Sequence, residues 1–507
     1  MSAAPLDRLR RDGEAMSVAL SREFYESGAG LKATAELRPI YAKYPRVLGD
    51  EALGEVREAF EGAAKGSEEQ RATRLLLDWQ VDGMVSRELA ALDEREIAWE
   101  SSATVTLADG RVVPYQQLSI DIANTMDRKD RLALDAARVA IVAKELAPMR
   151  REHFQRETEL TAKLGIGSNY VSTFVALSGV DLAALAAQCT AFLRDTQAMW
   201  DDTVREQVRR KLGIKIGEAV RADALALMRA PEFDAFFPGA ALEPAARRNM
   251  QEMGVDAMAG GRVVFDTGDR EGKRSRAFCA PVRIPEEVYL VMRPHGGQTD
   301  YATFMHELGH ALHFGYMRAD YPFEYRWLGD NSVTESYAML FDHLMQNAGW
   351  LLRYTALTKS DLAAFQRAAG FEELQFLRRY CGKLLYEMEL HGGTHSWDAL
   401  PDLYVQILTG ATSFRYDPAD AFVDVDPRFY AARYLRAWQL QAVIGESLVE
   451  RFNDDWFRNP KAGPWIVESL YAEGQRELAH ELATRVAGRG LSFEPLARKV
   501  ESLLSAG

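Results

Sequence analysis

Between Thr299 and His313 the chain sets two histidines four residues apart, with a glutamate directly after the first, inside an apolar pattern of helical period. On a helix, positions i and i+4 share one face, so His306 and His310 present two imidazole nitrogens to the same point. No other stretch constrains the fold as much. A catalytic zinc takes three protein ligands and keeps one position for water, so a second element must pack against this helix and bring the third ligand. Glu307, next to the first histidine, has the placement of a general base acting on water beside the metal, the arrangement of a zinc hydrolase.

Two residues compete for the third position. His313 lies on the same helix at i+7 of His306, on the same side but a turn beyond a metal held by His306 and His310. It reads as a packing residue or as one that supports a ligand. The spacing that would recruit a third histidine from the same helix region, with Gly three and His six residues after the second histidine, is not met, because those positions hold His313 and Tyr316. Glu335 lies in the next helical stretch, Val333-Thr334-Glu335-Ser336-Tyr337-Ala338, among apolar neighbours that argue for an enclosed position. A carboxylate there completes a His2Glu set of His306, His310 and Glu335 around one Zn2+ per chain. Asp342, two turns on, is placed to orient a ligand histidine.

The remaining chain reads as mostly α. Residues 1–100 are helical, with apolar residues at three- and four-residue steps from Arg71 to Ile97. Thr104 to Val113 carries two short β-like runs around Asp109-Gly110, a hairpin signal. Helix returns from Ser119 to about Lys163, where Pro148 is expected to end or kink it, and again from Val180 to Gly213 with Asp181 as N-cap. The character changes near Gly260. Arg262 to Asp266, Ala277 to Val282 and Glu287 to Met292 are strand candidates, the last one leading directly into the metal helix. That last strand has two readings, a buried core hairpin or a free edge that holds an extended peptide beside the metal.

Composition excludes several classes. The 507 residues are 47% hydrophobic and 27% charged, with a net charge of -13, which argues against nucleic-acid and anionic-membrane partners. The N-terminal residues Met1 to Asp12 lack the apolar core of a signal peptide, and no apolar run has the length of a membrane span. Cys189, Cys279 and Cys381 are few and widely spaced, as for reduced thiols of a cytoplasmic protein packed as small core residues.

From Arg262 to His343 the chain resembles the thimet oligopeptidase and oligopeptidase F group of zinc metallopeptidases, of the gluzincin type. The resemblance rests on His306-Glu307-Leu308-Gly309-His310-Ala311-Leu312-His313, on Glu335 at about the family's distance, and on Asp266, Arg270-Glu271-Gly272-Lys273, Ala277-Phe278-Cys279 and Thr303-Phe304. It implies a mostly helical, two-lobed, clam-like body with a deep cleft, a small sheet beside the metal helix, and short peptides as substrates. Residues 1–258 would form a helical lobe and one cleft wall, and residues 259–507 the catalytic lobe. The resemblance also implies tyrosines that steady the oxyanion. Tyr430 and Tyr434, four apart on one helical face, fill that role or form an aromatic core face. The Gly-Tyr and paired-Tyr form of the thimet branch is absent. Arg433 and Arg436 read either as binders of a substrate carboxylate or as surface charges.

The expected activity is hydrolysis of peptide bonds in short peptides, with Glu307 as general base. A metallocarboxypeptidase or dipeptidase-type exopeptidase on the same scaffold is the alternative enzyme. The carboxypeptidase Taq type is disfavoured, because Thr334-Glu335-Ser336-Tyr337 stands where that family has His-Glu-Ser-Gln. An inactive peptide-binding relative is the alternative from another class. Side-chain preference and oligomeric state are not legible in the sequence.

Overall fold

Helices carry most of the chain, and strands make only two small sheets. The computed structural model describes residues 4–506; Met1 to Ala3, part of the N-terminal stretch read above, lie outside the described residues. Five helices matter below: α1 (Ala4–Gly28), α2 (Gln298–Tyr316), α3 (Asn331–Asp342), α4 (Lys359–Gly392) and α5 (Tyr430–Phe452). The strands are β1 (Thr104–Thr106), β2 (Val112–Pro114), β3 (Val263–Asp266), β4 (Phe278–Arg283) and β5 (Glu287–Val291). Among the described residues no single helix is long and apolar enough to cross a membrane.

The chain divides into two compact units, each assembled from several stretches. The first comprises Met1–Val81, Glu232–Gln366 and Arg436–Leu496; the second comprises Asp82–Pro231, Arg367–Leu435 and Ala497–Gly507. The sequence reading had placed one division after residue 258.

In the first unit β3, β5 and β4 form a sheet in that order, β3 parallel and β4 antiparallel to β5. Side chains alternate between its faces. Ala280, Val282 and Val291 pack with Tyr25 and Ala29 at the end of α1, where the Tyr25 ring stacks on Tyr289 at 3.8 Å. Cys279 and Pro281 stand opposite Leu290 and Val288, and α2 packs on both strands. The strand before α2, β5, is therefore the central strand, bonded on both sides. Of the two readings of this strand, the buried hairpin matches the structure and the free edge does not: its apolar residues Val288, Leu290 and Val291 are fully enclosed, and burial on two faces selects the middle position. The outer strands are β3 and β4.

The charged loop after β3 holds itself together. Lys273 is buried and its Nζ donates to the Asp266 carboxylate at 3.0 Å and to the carbonyls of Asp266 and Gly268 at 2.6 and 2.8 Å. Arg270 pairs with the same carboxylate and donates to the Ala29 carbonyl at 2.8 Å. The pattern Asp266, Arg270, Lys273 thus ties the β3–β4 loop to the end of α1.

In the second unit β1 and β2 pair as the expected hairpin, turning at Asp109-Gly110, with Val105 and Val113 packed against Leu118, Ile122 and Leu134. Asp181 caps its helix by accepting from Ala184 N at 2.9 Å. Pro148 does not end the helix around it. One π-helical turn, Val142–Leu146, precedes it between Arg128–Ile141 and Ala147–Lys163. Widening the turn relieves the clash that the ring would make with an ordinary helical carbonyl, and proline in the first turn of the following segment has no helical N–H to miss.

Candidate metal centre

The helix α2 begins at Gly297, where the Asp300 carboxylate folds back to accept from His295 N and Gly296 N at 2.6 and 2.8 Å. This satisfies donors just before the first turn and fixes where the helix starts. Its apolar residues Tyr301, Phe304, Met305, Leu308, Ala311 and Leu312 are buried, which leaves His306, Glu307 and His310 on the partly accessible face. The helix α3 is held at its own start by Asp330. That carboxylate accepts from Ser332 N at 3.0 Å, from Ala479 N at 3.0 Å and from Arg436 at 2.8 Å. Burial alone would raise its pKa, but Arg436 and the N–H donors hold it well below the usual carboxylate range.

The two helices touch at Gly309. A Cβ added there would lie 2.5 Å from the Tyr337 carbonyl oxygen and 2.6 Å from Ala338 Cα, both backbone atoms that no rotamer change moves. Glycine between the two histidines therefore sets how near α3 comes, and with it how near Glu335 comes to the imidazoles.

At this approach three donor atoms converge. Glu335 Oε2 lies 3.4 Å from His306 Nε2 and 3.5 Å from His310 Nε2. The candidate ligand atoms of all three residues lie within 4.8 Å of one another. Tetrahedral coordination with bonds of 2.0–2.1 Å puts neighbouring ligand atoms about 3.4 Å apart, so the carboxylate stands at bonding geometry to both imidazoles. The Glu335 side chain is 7% exposed, His310 12% and His306 23%, a gradient that encloses the carboxylate and leaves the imidazole side open to water. The donor set of two imidazoles and one carboxylate, with a solvent-accessible side, fits a catalytic zinc.

Both imidazoles are oriented from behind. His306 Nδ1 donates to Asp342 Oδ2 at 2.8 Å and His310 Nδ1 is hydrogen-bonded with Thr334 Oγ1 at 2.9 Å, so each Nε2 is the atom left to bind. Burial would lower the His306 pKa, but the Asp342 and Glu335 carboxylates raise it well above its ordinary value. Burial would raise Glu335, yet His310 and His306 hold it well below the usual range. The Glu335 and Asp342 carboxylates are thus held in the ionised form.

His313 takes no part in this convergence. It is fully buried, its Nε2 lies 3.4 Å from the Gly474 carbonyl, and its ring packs on Tyr337 and Tyr471. Burial lowers its pKa to about 3 and keeps it neutral. Glu307 is half-buried on the face of His306. Burial of the sulfur and, after it, the Glu307 carboxylate raise the pKa of Cys279, and β4, which carries this thiol, packs on α2. Cys189 and Cys381 are buried, as core residues should be, whereas Cys279 is only half-buried.

Tyr430 and Tyr434 belong to the second unit. Their ring centroids are 4.9 Å apart, and Tyr434 meets a third tyrosine, Tyr380 of α4, at 5.4 Å. Neither Arg433 nor Arg436 is a surface charge. Arg436 is committed to Asp330, and Arg433 is buried with its guanidinium 5.8 Å from the Phe174 ring centroid. Sequence reasoning did not single out Thr334 and His343, which the structure brings against His310 and Asp342. Thr334 adjoins the candidate ligand Glu335, a position from which its hydroxyl reaches the second imidazole; that adjacency was the available signal.

No family model matches the chain, and no curated protein sequence matches it. Among solved structures, one described as "BsuCP Crystal Structure" aligns over 98% of this chain and 98% of its own, with a TM-score of 0.60 and 13% sequence identity. At that identity the likeness is one of fold, and it supports a mostly α architecture over the full length.

Proposed function

We propose that this chain is a zinc-dependent metallopeptidase that hydrolyses peptide bonds of short peptides, similar to the thimet oligopeptidase and oligopeptidase F group. The observation that carries this reading is the convergence of His306 Nε2, His310 Nε2 and Glu335 Oε2, with Glu307 one residue past the first ligand on the accessible helix face. His306, His310 and Glu335 hold the metal. When bound, zinc supplies Lewis acidity to the scissile carbonyl and lowers the pKa of water. Glu307 takes a proton from the attacking water as its oxygen bonds to the carbonyl carbon. It then gives that proton to the amine nitrogen as the C–N bond breaks. Asp342 and Thr334 keep both imidazoles in the tautomer that binds metal.

The strand able to accept a peptide backbone is β4 rather than β5, because β4 has an outer edge and packs on α2, the helix that carries Glu307. The resemblance assigns the oxyanion to Tyr430 or Tyr434. Each Tyr→Phe variant should lower kcat with KM unchanged if its phenol acts there.

The deciding experiment incubates the purified protein with a mixed peptide library, with and without a metal chelator, and identifies products by mass spectrometry. Chelator-sensitive cleavage is expected. Binding of peptides without any product would replace the enzyme by a peptide-binding relative. End-blocked and free-ended versions of one cleaved peptide then distinguish endopeptidase from exopeptidase action.

A further inference from the structure

Behind the metal centre lies a residue that the expected ligand set does not include. Asp342 is the last residue of α3, and its carboxylate is shared: Oδ2 takes the His306 Nδ1 proton, and Oδ1 takes a hydrogen bond from Nδ1 of His343. We propose that His343 is a positioning residue for the metal centre, fixing the plane of the Asp342 carboxylate and through it the His306 imidazole. This inference rests on the metal reading given above.

Three physical points support it. A carboxylate bonded through one oxygen can still turn about χ2, whereas donors on both oxygens fix its plane. The C-terminal end of a helix is an unfavourable place for a negative charge, because the helix dipole and the last free carbonyls point there, so Asp342 needs donors to stand in this position. Finally, His343 is itself immobile. Its backbone N–H bonds the carbonyls of Met339 and Phe341, its side chain is 8% exposed, and the 3-10 turn that it begins is anchored by the buried Leu344 and Met345. A fixed donor is what an orienting role requires. His310 differs, since its Nδ1 rests on the Thr334 hydroxyl.

The test compares zinc dissociation constants, measured on the full-length protein by competition with a chromophoric chelator, for wild type, His343→Phe and His343→Asn. The Phe variant keeps an aromatic ring and loses the donor; the Asn amide nitrogen occupies nearly the place of the imidazole Nδ1. We expect the Phe variant to weaken zinc binding about tenfold, the low end for outer partners of metal ligands, and the Asn variant to stay within about threefold of wild type. The thermal midpoint of the metal-free protein is recorded in parallel, because a merely structural His343 would lower that midpoint and leave the zinc constant of the folded protein unchanged. A wild-type zinc constant in the Phe variant overturns the proposal, and so does equal weakening in the Phe and Asn variants. If the Phe variant does not fold, His343→Gln replaces it: weaker binding than in the Asn variant is expected, and equality overturns the proposal. A wild-type protein that binds no zinc removes the metal reading itself, a result read before any variant is compared.

Discussion

In the second unit, buried acids meet permanent cations. Asp420 takes both terminal nitrogens of Arg138 at 2.7 and 2.9 Å, and Asp223 takes Arg131 at 2.7 Å and Arg128 at 3.0 Å. Along α4, Arg379 pairs with Asp424 and Lys383 with Asp426. Around Glu335 and Asp342 in the first unit the partners are imidazoles, which carry charge only as protons. A guanidinium closes a carboxylate for good, because it does not release its proton in water. An imidazole can exchange its proton for a metal ion. Two regions with buried charge thus differ: one cements helices together, and the other, on the function proposed above, would trade protons for a cation.

The largest expected effect breaks that comparison at its functional end. Glu307→Gln should lower peptide turnover by about 10²–10⁴ while zinc content by atomic absorption stays at one per chain. Full turnover in that variant sinks the mechanism. Glu335→Ala should reduce the zinc content, and an unchanged stoichiometry would show that the carboxylate is not a ligand.

Arg138→Met probes the other region. It leaves Asp420 buried without its cation and should destabilise the protein by about 3–5 kcal/mol in chemical denaturation, with zinc content unaffected. A cost under about 1 kcal/mol would mean that the pair is not the cement described here.

The pH dependence gives one buried glutamate of each region the opposite sign. Glu387 is fully buried on α4 and accepts from Asp426 N at 3.0 Å. Burial pushes its pKa up to about 8, although Lys383 acts against this. The folded state then keeps a proton that the unfolded chain releases, so this group costs stability progressively as pH rises from the ordinary carboxylate range to about 8. Glu387→Gln removes that slope. Its unfolding free energy in chemical denaturation should gain on wild type between pH 5 and pH 8, by about 1–3 kcal/mol at the upper end. Glu335 in the metal-free protein has the reverse sign. Its pKa is lowered, so its contribution is present above the ordinary carboxylate range and is lost as pH falls below it. Parallel pH profiles of Glu387→Gln and wild type would contradict a protonated Glu387.

The smallest effect is at the helix contact. Gly309→Ala should cost about 1–3 kcal/mol of stability, because the new methyl meets backbone of α3. It should also weaken zinc binding by moving Glu335 away from His306 and His310. Destabilisation with an unchanged zinc constant would uncouple the contact from the centre.

Much of this was legible in the order of residues, because it depends on neighbours along the chain. Helical period, the Asp109-Gly110 hairpin, the Asp181 cap and the i, i+4 pair of histidines are local patterns. The structure also brings Glu335 to the two histidines, as the enclosed setting of Val333 to Ala338 suggested. Other features were hidden because they depend on distant segments. That β5 is central requires knowing that β3 and β4 flank it. That Arg436 is committed to Asp330, that Thr334 backs His310 and that His343 shares Asp342 are facts about which helices meet and at what rotation. Pro148 marked an irregularity in its helix, but that the backbone would widen by one π-turn before it and then continue was not legible from the residue alone.

The sequence by itself determined which atoms are available: two imidazoles on one helix face, a glutamate beside them, and a second helix with an enclosed carboxylate. Only the tertiary structure decided that these atoms stand 3.4 and 3.5 Å apart, that His313 is turned into the core, and which strands are the outer ones of the sheet. Periodicity fixes the face on which a side chain emerges. The distance between faces is set by packing, here by the absence of a single methyl group at Gly309.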